Sequence, residues 1–341
     1  DNFVERILEN NKEINVEKFK IWFKQNGTPQ VNFKRKWNKE KKILKIKATQ
    51  INPNKKTTYN DLPLIIPIDI AVFTSSYEKI NKTFILKEKE EVFVLENIKT
   101  NFDNPIITYF RNFSAPVEWV TDTTFNEKLL ILEFETDFFT IYDTIKKLYK
   151  EIICRRIYEK PDLDFENKLI TTLSSIIKNN KTINLSLLSE ILSIPTFAEI
   201  ESEIQNIDPL KIYKIVDELN YLFGIKLKED LKDKLKEINK KINKIWPEGK
   251  DERKLVETIW KLLLYSKDED IKSSIISHID SNSMTLSKAA LNSFTRIKCP
   301  ERDLISQKFF NKWKNNAVVL DNWFFFKASI EVDNNFKNIN D

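Results

Sequence analysis

Gly27-Thr28-Pro29-Gln30-Val31-Asn32-Phe33-Lys34-Arg35-Lys36-Trp37 is the stretch at which the periodicity of this chain changes. Before it, Val16, Phe19, Ile21, Trp22 and Phe23 recur at helical spacing, as do Phe3, Ile7 and Leu8 further upstream. Glycine tolerates the positive φ that closes a helix, and a proline shortly after blocks its continuation. From Val31 the period drops to two. Val31, Phe33, Arg35 and Trp37 alternate with Asn32, Lys34, Lys36 and Asn38. The charged turn Lys39-Glu40-Lys41-Lys42 leads to a second alternating run. There Leu44, Ile46 and Ala48 face one way and Lys45, Lys47 and Thr49 the other, so the spacing predicts a hairpin with one wet face.

Further strands are expected at Leu64–Phe73, Thr83–Lys87, Glu91–Leu95 and Ile106–Phe113, ending in Phe113-Ser114-Ala115-Pro116-Val117. Strands this short and this close predict a small β-sandwich of about 90 residues. Cys154 and Cys299 fall outside it, so it has no inter-sheet disulfide.

From about Thr121 the pattern is helical to the end. Ile141, Ile145, Leu148, Ile152 and Ile153 form one apolar stripe, and Phe165, Leu169, Leu173 and Ile176 another. Asp208-Pro209 reads as an N-cap followed by proline at the first helical position. Leu227, Leu231, Leu235, Ile238, Ile242 and Ile245 predict one amphipathic helix, and further helices are expected near 252–266, 284–297, 301–315 and 318–328. Short polar turns between them suggest stacked helix pairs. The expected division is a helical tail over 1–25, a β-sandwich over 26–120 and an array of helices over 121–341. The fold class is thus multidomain β plus α, a sandwich followed by an all-α, solenoid-like array.

Composition excludes much chemistry. The chain has one histidine, three glycines and two distant cysteines. A phosphate-cradling loop needs clustered glycines, a zinc site several close His or Cys, and a Ser or Cys nucleophile a base. His278 has no second histidine to join it and reads as structural, and Cys154 and Cys299 as inert thiols. No catalytic, cofactor-binding or metal-ligating residue is therefore expected. Basic and acidic residues number 56 and 51, a net charge of +5 that demands no polyanionic partner. The 33–37 hairpin does interleave aromatic and basic residues, as single-strand binders do. Core-facing aromatics and wet lysines explain it more simply, except for Arg35. The lysine run Lys226 to Lys244 is mixed with Glu229, Asp230, Asp233 and Glu237 and reads as a solvated helix face. Glu88 to Glu91 and Asp268 to Asp270 face no acid–base partner. Phe309, Phe310, Trp313, Trp323, Phe324, Phe325 and Phe326 make the densest aromatic stretch, read as core packing or as a wall facing a peptide.

No apolar run approaches the ~20 residues that span a bilayer. The best, Leu62 to Phe73, is broken by Pro63, Pro67 and Asp69. No leader is visible, and unpaired cysteines fit a reducing, cytoplasmic setting. The chain starts at Asp1 and its one methionine is Met284, so a piece of a longer protein is expected.

The order of these segments resembles the C-terminal half of the bacterial aminopeptidase N family, the alanyl aminopeptidase branch of the zinc-dependent gluzincin metallopeptidases. Trp22 with Gly27-Thr28-Pro29 resembles that family's join between catalytic and immunoglobulin-like domains. Leu64-Ile65-Ile66-Pro67 and Phe113 to Val117 resemble two strand signatures of the latter. Asp137-Phe138 with Asp143, Ile191 to Pro195, Ile207-Asp208-Pro209, Asn282 to Thr285, Ala289-Ala290-Leu291, Cys299, Arg302, Lys312-Trp313 and Asp321 to Phe324 resemble successive stretches of the helical domain. Glycines and alanines are fewer than in the family, and Asn322 stands where lysine is usual.

The resemblance implies an enzyme that removes N-terminal residues from peptides with a zinc-bound water, a glutamate base and an oxyanion-stabilising tyrosine. The family's H-E-x-x-H and G-x-M-E-N motifs do not occur in this chain. What it implies here is the non-catalytic portion: the end of the catalytic domain over 1–25, an immunoglobulin-like sandwich over 26–120 and a truncated HEAT/ARM-like helical domain over 121–341 that curves over the active site and gates a chamber. Its partners would be the upstream catalytic domain and, through that domain, peptides, with no nucleic acid and no membrane. Zinc would belong to the parent enzyme and not to this chain. The chain would also stop short of the domain's last helices. The rival readings are a protein-interaction scaffold of the same architecture and, through the 33–37 hairpin, a nucleic-acid-binding module.

Overall fold

The computed structural model describes residues 4–6, 15–52, 58–74, 77–100, 102–158, 161–179, 183–201, 208–244 and 247–330. Phe3, Ile7, Leu8, Ile207 and Ile245 lie outside them. The packing divides the chain into two compact units, Asp1–Thr144 and Ile145–Asp341.

In the first unit, helix α1 (Val16–Lys20) is N-capped by Asn15, whose side chain accepts from Lys18 N, and a single 3-10 turn (Ile21–Phe23) follows it. Gly27 then takes φ 81°, the positive value expected at the break. Seven strands come next among the described residues: β1 (Gln30–Asn38), β2 (Ile43–Ile51), β3 (Ile66–Phe73), β4 (Lys79–Leu86), β5 (Glu90–Leu95), β6 (Ile107–Tyr109) and β7 (Glu118–Val120). They form a four-stranded sheet in the order β5-β2-β1-β7 and a three-stranded sheet in the order β4-β3-β6. The predicted hairpin pairs antiparallel, with Phe33 opposite Ala48 and Trp37 opposite Leu44. Its inward residues Val31, Phe33, Leu44, Ile46 and Ala48 are buried with Ile66, Ile68, Ile70 and Val72 of β3 in one core. This is the two-sheet sandwich that the alternation predicted.

Two details depart from the expectation. The strand foreseen over Ile106–Phe113 ends at Tyr109, because Phe110, Asn112 and Phe113 all take positive φ near 55°. Non-glycine residues hold that conformation only when their surroundings impose it. Here Phe110 is fully buried, Asn112 N–H donates to Asp137 Oδ1 (3.1 Å), and Phe113 packs on Phe139. The chain then returns as β7, which pairs in parallel with β1. Three residues carry too little periodicity to be read in a sequence.

Helix α2 (Phe125–Phe134) begins at a capping box made by Thr124 and Glu127. Glu135, whose side chain is fully buried, follows it and accepts from Thr108 Oγ1, Arg111 Nη2 and the backbone of Thr136 and Asp137. Helix α3 (Phe138–Tyr158) runs on into the second unit.

The second unit continues with α4 (Leu163–Asn179), α5 (Leu185–Leu192), α6 (Phe197–Ile200), α7 (Pro209–Lys226), α8 (Lys228–Ile238), α9 (Lys250–Tyr265), α10 (Glu269–Ser277), α11 (Met284–Ser293), α12 (Glu301–Trp313) and α13 (Ala317–Ser329). Asp208 caps α7 as expected, its side chain accepting from Leu210 N. The single helix expected over Leu227–Ile245 stops at Ile238. Ile242 is still buried, but in a turn rather than on a helix face. The physical reason is Arg253 on α9. Its guanidinium, 5% exposed as a residue, donates to the carbonyls of Ile242, Lys244 and Glu248. Carbonyls that a longer helix would have used internally are satisfied from outside. Helices α7 and α9 approach closely because Gly224 lacks a side chain: a Cβ there would lie 2.2 Å from Leu262 O.

Asp268 joins α8 to α10. It caps α10 by accepting from Ile271 N (3.2 Å) and pairs with Lys228 (2.9 Å) and Lys232 (2.5 Å). Burial favours its protonated form, but the two ammonium groups outweigh burial and hold the carboxyl down to about 2 from 3.8. A depressed carboxyl contributes stability in full above about pH 4 and loses it as pH falls through about 2. Asp268→Asn should therefore cost about 1–2 kcal/mol at pH 7, allowing for solvent around the two partly exposed lysines. The cost should be mostly gone near pH 2. Urea melts at the two pH values check this, and an equal loss at both would contradict it.

Candidate functional site

Helix α9 is the central helix of the second unit, packed against α5, α7, α8, α10 and α11. Its run Leu255-Val256-Glu257-Thr258-Ile259-Trp260-Lys261-Leu262-Leu263-Leu264 explains why: Leu255, Val256, Ile259, Trp260, Leu262, Leu263 and Leu264 are all buried. A helix apolar on nearly every side belongs in a core. Glu257, Lys261 and Tyr265 interrupt that run at intervals of four and share one face. Two other segments present polar residues at the same interval, Tyr213 and Asp217 on α7, and Asn292 on α11 with Arg296 just beyond it.

One half of this polar seam is closed. Tyr265 Oη donates to Asp217 Oδ1 (2.6 Å), Arg296 Nη2 donates to Asp217 Oδ2 (2.6 Å), and the Arg296 guanidinium lies over the Tyr213 ring at 5.1 Å. Burial and the adjoining carboxylate push the Tyr265 hydroxyl up, so it stays protonated. Beside this half lies a cavity of ≈ 490 Å³, whose lining includes Tyr221, Lys272 and Cys299.

The other half is open. Glu257 accepts from Asn292 Nδ2 (3.1 Å). Lys261 stands one helical turn on, and among the described residues no carboxylate lies within ion-pair distance of its ammonium group. Burial pushes the Glu257 carboxyl up and the Lys261 ammonium down. Both shifts mark charges without adequate partners. These two side chains line a second cavity of ≈ 290 Å³ with Ser189, Ser193, Asn220 and Thr258. Ser189 and Thr258 hydroxyls bond each other at 2.9 Å, and Asn220 Nδ2 donates to Val216 O.

Of the groups in the seam that could give or take a proton, Glu257 and Lys261 are the shifted pair at its open half. A general base or nucleophile needs a group poised to give or take a proton. Tyr265 is held protonated, and burial pushes both the Cys154 and the Cys299 thiols up, Glu301 adding to the shift at Cys299. His278 Nδ1 donates to Ser274 O (2.8 Å) and its ring sits 4.9 Å from that of Trp260. The zinc that the resemblance implies for the whole enzyme finds no ligand set among the described residues. Among the described residues no three His, Cys, Asp or Glu side chains converge as a metal ion requires.

The hairpin is committed inward. Phe33 is buried and stacks on Tyr109 with centroids 4.1 Å apart, and Trp37 packs against the sandwich core. Arg35, unexplained by alternation, is 7% exposed in its side chain and bonded to Asp122, Glu127 and the Pro105 carbonyl. Within 33–37 the exposed residues are Lys34 and Lys36. The lysine run is laced with ion pairs, Lys234 to Glu237 and Lys236 to Asp233 among them. Of the aromatic stretch, Phe309 and Phe326 are buried, while Phe324 and Phe325 are 56% and 70% exposed. Trp313 and Trp323 donate to Ser287 and Ser306.

Sequence reading did not single out Glu257, Lys261, Asp217, Asn292 or Arg296. The signal available was a glutamate and a lysine inside an otherwise apolar helical run.

Comparison with known proteins fits this architecture. A family profile described as a domain of unknown function (DUF3458) with an Ig-like fold matches residues 27–122. A second, described as a domain of unknown function (DUF3458_C) with ARM repeats, matches residues 126–341. Aminopeptidase N of Escherichia coli is 23% identical over 348 residues, which are 98% of this chain and 39% of that protein. Aminopeptidase N of Haemophilus influenzae is 22% identical over 341 residues, 96% of this chain and 38% of that protein. The chain thus spans about two-fifths of the curated relatives it matches, and corresponds to the C-terminal region of aminopeptidase N. A crystal structure of Legionella pneumophila aminopeptidase A in complex with aspartic acid superposes with a TM-score of 0.85 at 23% identity, over 99% of this chain and 40% of that one.

Proposed function

This chain belongs to the DUF3458_C family of ARM-repeat domains, preceded by the Ig-like DUF3458 domain, and from that membership we propose that it is the non-catalytic portion of a zinc-dependent aminopeptidase. Its parent would remove N-terminal residues from peptides. Residues 1–25 would end the catalytic domain, the sandwich over 26–120 would support it, and the helical array over 121–341 would cap and gate the substrate chamber. The observation that carries this reading is the match along 98% of the chain to one region of a longer aminopeptidase. In this reading the chain supplies no catalytic, cofactor-binding or metal-ligating residue, and its partners are the catalytic domain of the same enzyme and, through it, peptides. A cytoplasmic location agrees with two free cysteines and with the lack, among the described residues, of any helix long and apolar enough to cross a membrane.

The test compares the purified chain with the same chain co-expressed with the catalytic portion. The chain alone is expected to hold no stoichiometric zinc and to release no chromophore from an alanyl substrate, and the combination to do both. Zinc with turnover in the chain alone would overturn the proposal.

A further inference from the structure

The cavity over Glu257 and Lys261 carries an inference of its own. It lies inside the second unit, and its test needs no catalytic partner. At ≈ 290 Å³ it falls at the small end of ligand pockets. Its rim is marked by Lys254 and Glu190, which neutralise each other at 2.8 Å with side chains 46% and 37% exposed. Deeper in, Ser189, Thr258 and Asn220 also have partners within the chain. That leaves one carboxylate and one ammonium group, a helical turn apart on α9 and not paired with each other.

The other charges near them do not complete the site. Asp217 is held by Tyr265 and Arg296. Arg296 opposes the charge on Lys261, and Lys288 acts on Glu257 only weakly, after burial and Asn292. A simple anion would meet Lys261 but be repelled by Glu257, and a simple cation the reverse. A molecule carrying both charges a few ångströms apart satisfies the two groups together. Leu192, Ile194 and Leu262 supply an apolar part of the same lining.

We propose that this cavity binds a free α-amino acid as its zwitterion, the carboxylate on Lys261, the ammonium on Glu257 and an apolar side chain against Leu192, Ile194 and Leu262. A half-buried group that loses its ligand partner keeps part of its desolvation cost, so both ends of the ligand are recognised.

The experiment is calorimetric titration of the full chain with L-leucine, 4-methylpentanoate and 3-methylbutylamine, which share the side chain and differ in charge. L-Leucine is expected to bind at least about tenfold more tightly than either single-charge analogue, a difference of about 1.4 kcal/mol or more. Lys261→Met should abolish leucine binding while leaving the melting temperature unchanged or raised, since it removes a poorly solvated charge. Glu257→Gln should keep the fold and bring 4-methylpentanoate level with leucine. Binding of leucine no tighter than that of either analogue, retention of binding by Lys261→Met, or no heat from leucine up to about 10 mM (weaker than roughly −3 kcal/mol) would overturn the proposal.

Discussion

Arg35→Met is expected to destabilise the sandwich by about 3–5 kcal/mol, the cost of breaking one side of a buried ion pair. The guanidinium makes four kinds of contact at once. Nη2 donates to Glu127 Oε2 (2.7 Å), Nε pairs with Asp122 Oδ1 (3.1 Å), Nη1 donates to Pro105 O (2.8 Å) and Nη2 also reaches Asp122 O (3.3 Å). Asp122 is 42% exposed and can rehydrate, but the Glu127 side chain is only 15% exposed. Glu127 also builds the capping box of α2 through the same oxygen, which accepts from Thr124 N and Oγ1. Losing Arg35 therefore loosens the start of α2 as well as the strand. Arg35→Lys should recover little, because one compact ammonium nitrogen cannot reach oxygens that three separate guanidinium nitrogens now meet. Denaturant unfolding gives the measurement. Arg35→Met combined with Glu127→Gln should be less damaging than the sum of the two single changes, since the unpaired charge is gone. A loss below about 1 kcal/mol for Arg35→Met would show that the cluster is only decorative.

Arg253→Met is expected to have a similar effect, about 3–5 kcal/mol, in the helical unit. It would leave three carbonyls, those of Ile242, Lys244 and Glu248, without their donor, each at about 1–3 kcal/mol before any rehydration. Ile242 is the least able to rehydrate because it is buried. The segment also depends on Gly249, whose φ of 69° and close approach to Lys241 O (2.3 Å from a built Cβ) no side chain could share. Faster amide exchange confined to residues 238–244 would accompany the loss. Unchanged exchange there, with stability intact, would refute the role given to Arg253.

These two arginines mark where sequence reading reached and where it stopped. The alternation in β1 and β2, the Asp208-Pro209 cap and the apolar stripes of α3 and α4 follow from local spacing, and they stand in the structure with Phe165 only partly buried. Arg35 broke the alternation, and its partners Asp122 and Glu127 lie 87 and 92 residues on, beyond any local rule. The apolar spacing of Leu227 to Ile245 looked continuous because Ile242 is indeed buried; what ends the helix is an arginine from the next one. The open half of the seam was hidden for a different reason. A glutamate four residues before a lysine on a helix is the signature of a surface ion pair. Only the packing of α5 and α7 around α9 shows that Glu257 and Lys261 line a cavity instead.

The parallel pairing of β7 has a consequence for association between molecules. A nine-residue strand such as β1, left at the border of a sheet, offers its unpaired amides to any passing chain. β7 covers only Gln30 to Asn32. Further along, Arg35 N–H is taken by Asp122 Oδ2 (3.4 Å), and the outward lysines 34 and 36 place charge beside the gap. The sheet is thus terminated partly by a short strand and partly by a carboxylate, which makes Asp122 a guard against strand exchange as well as a partner of Arg35.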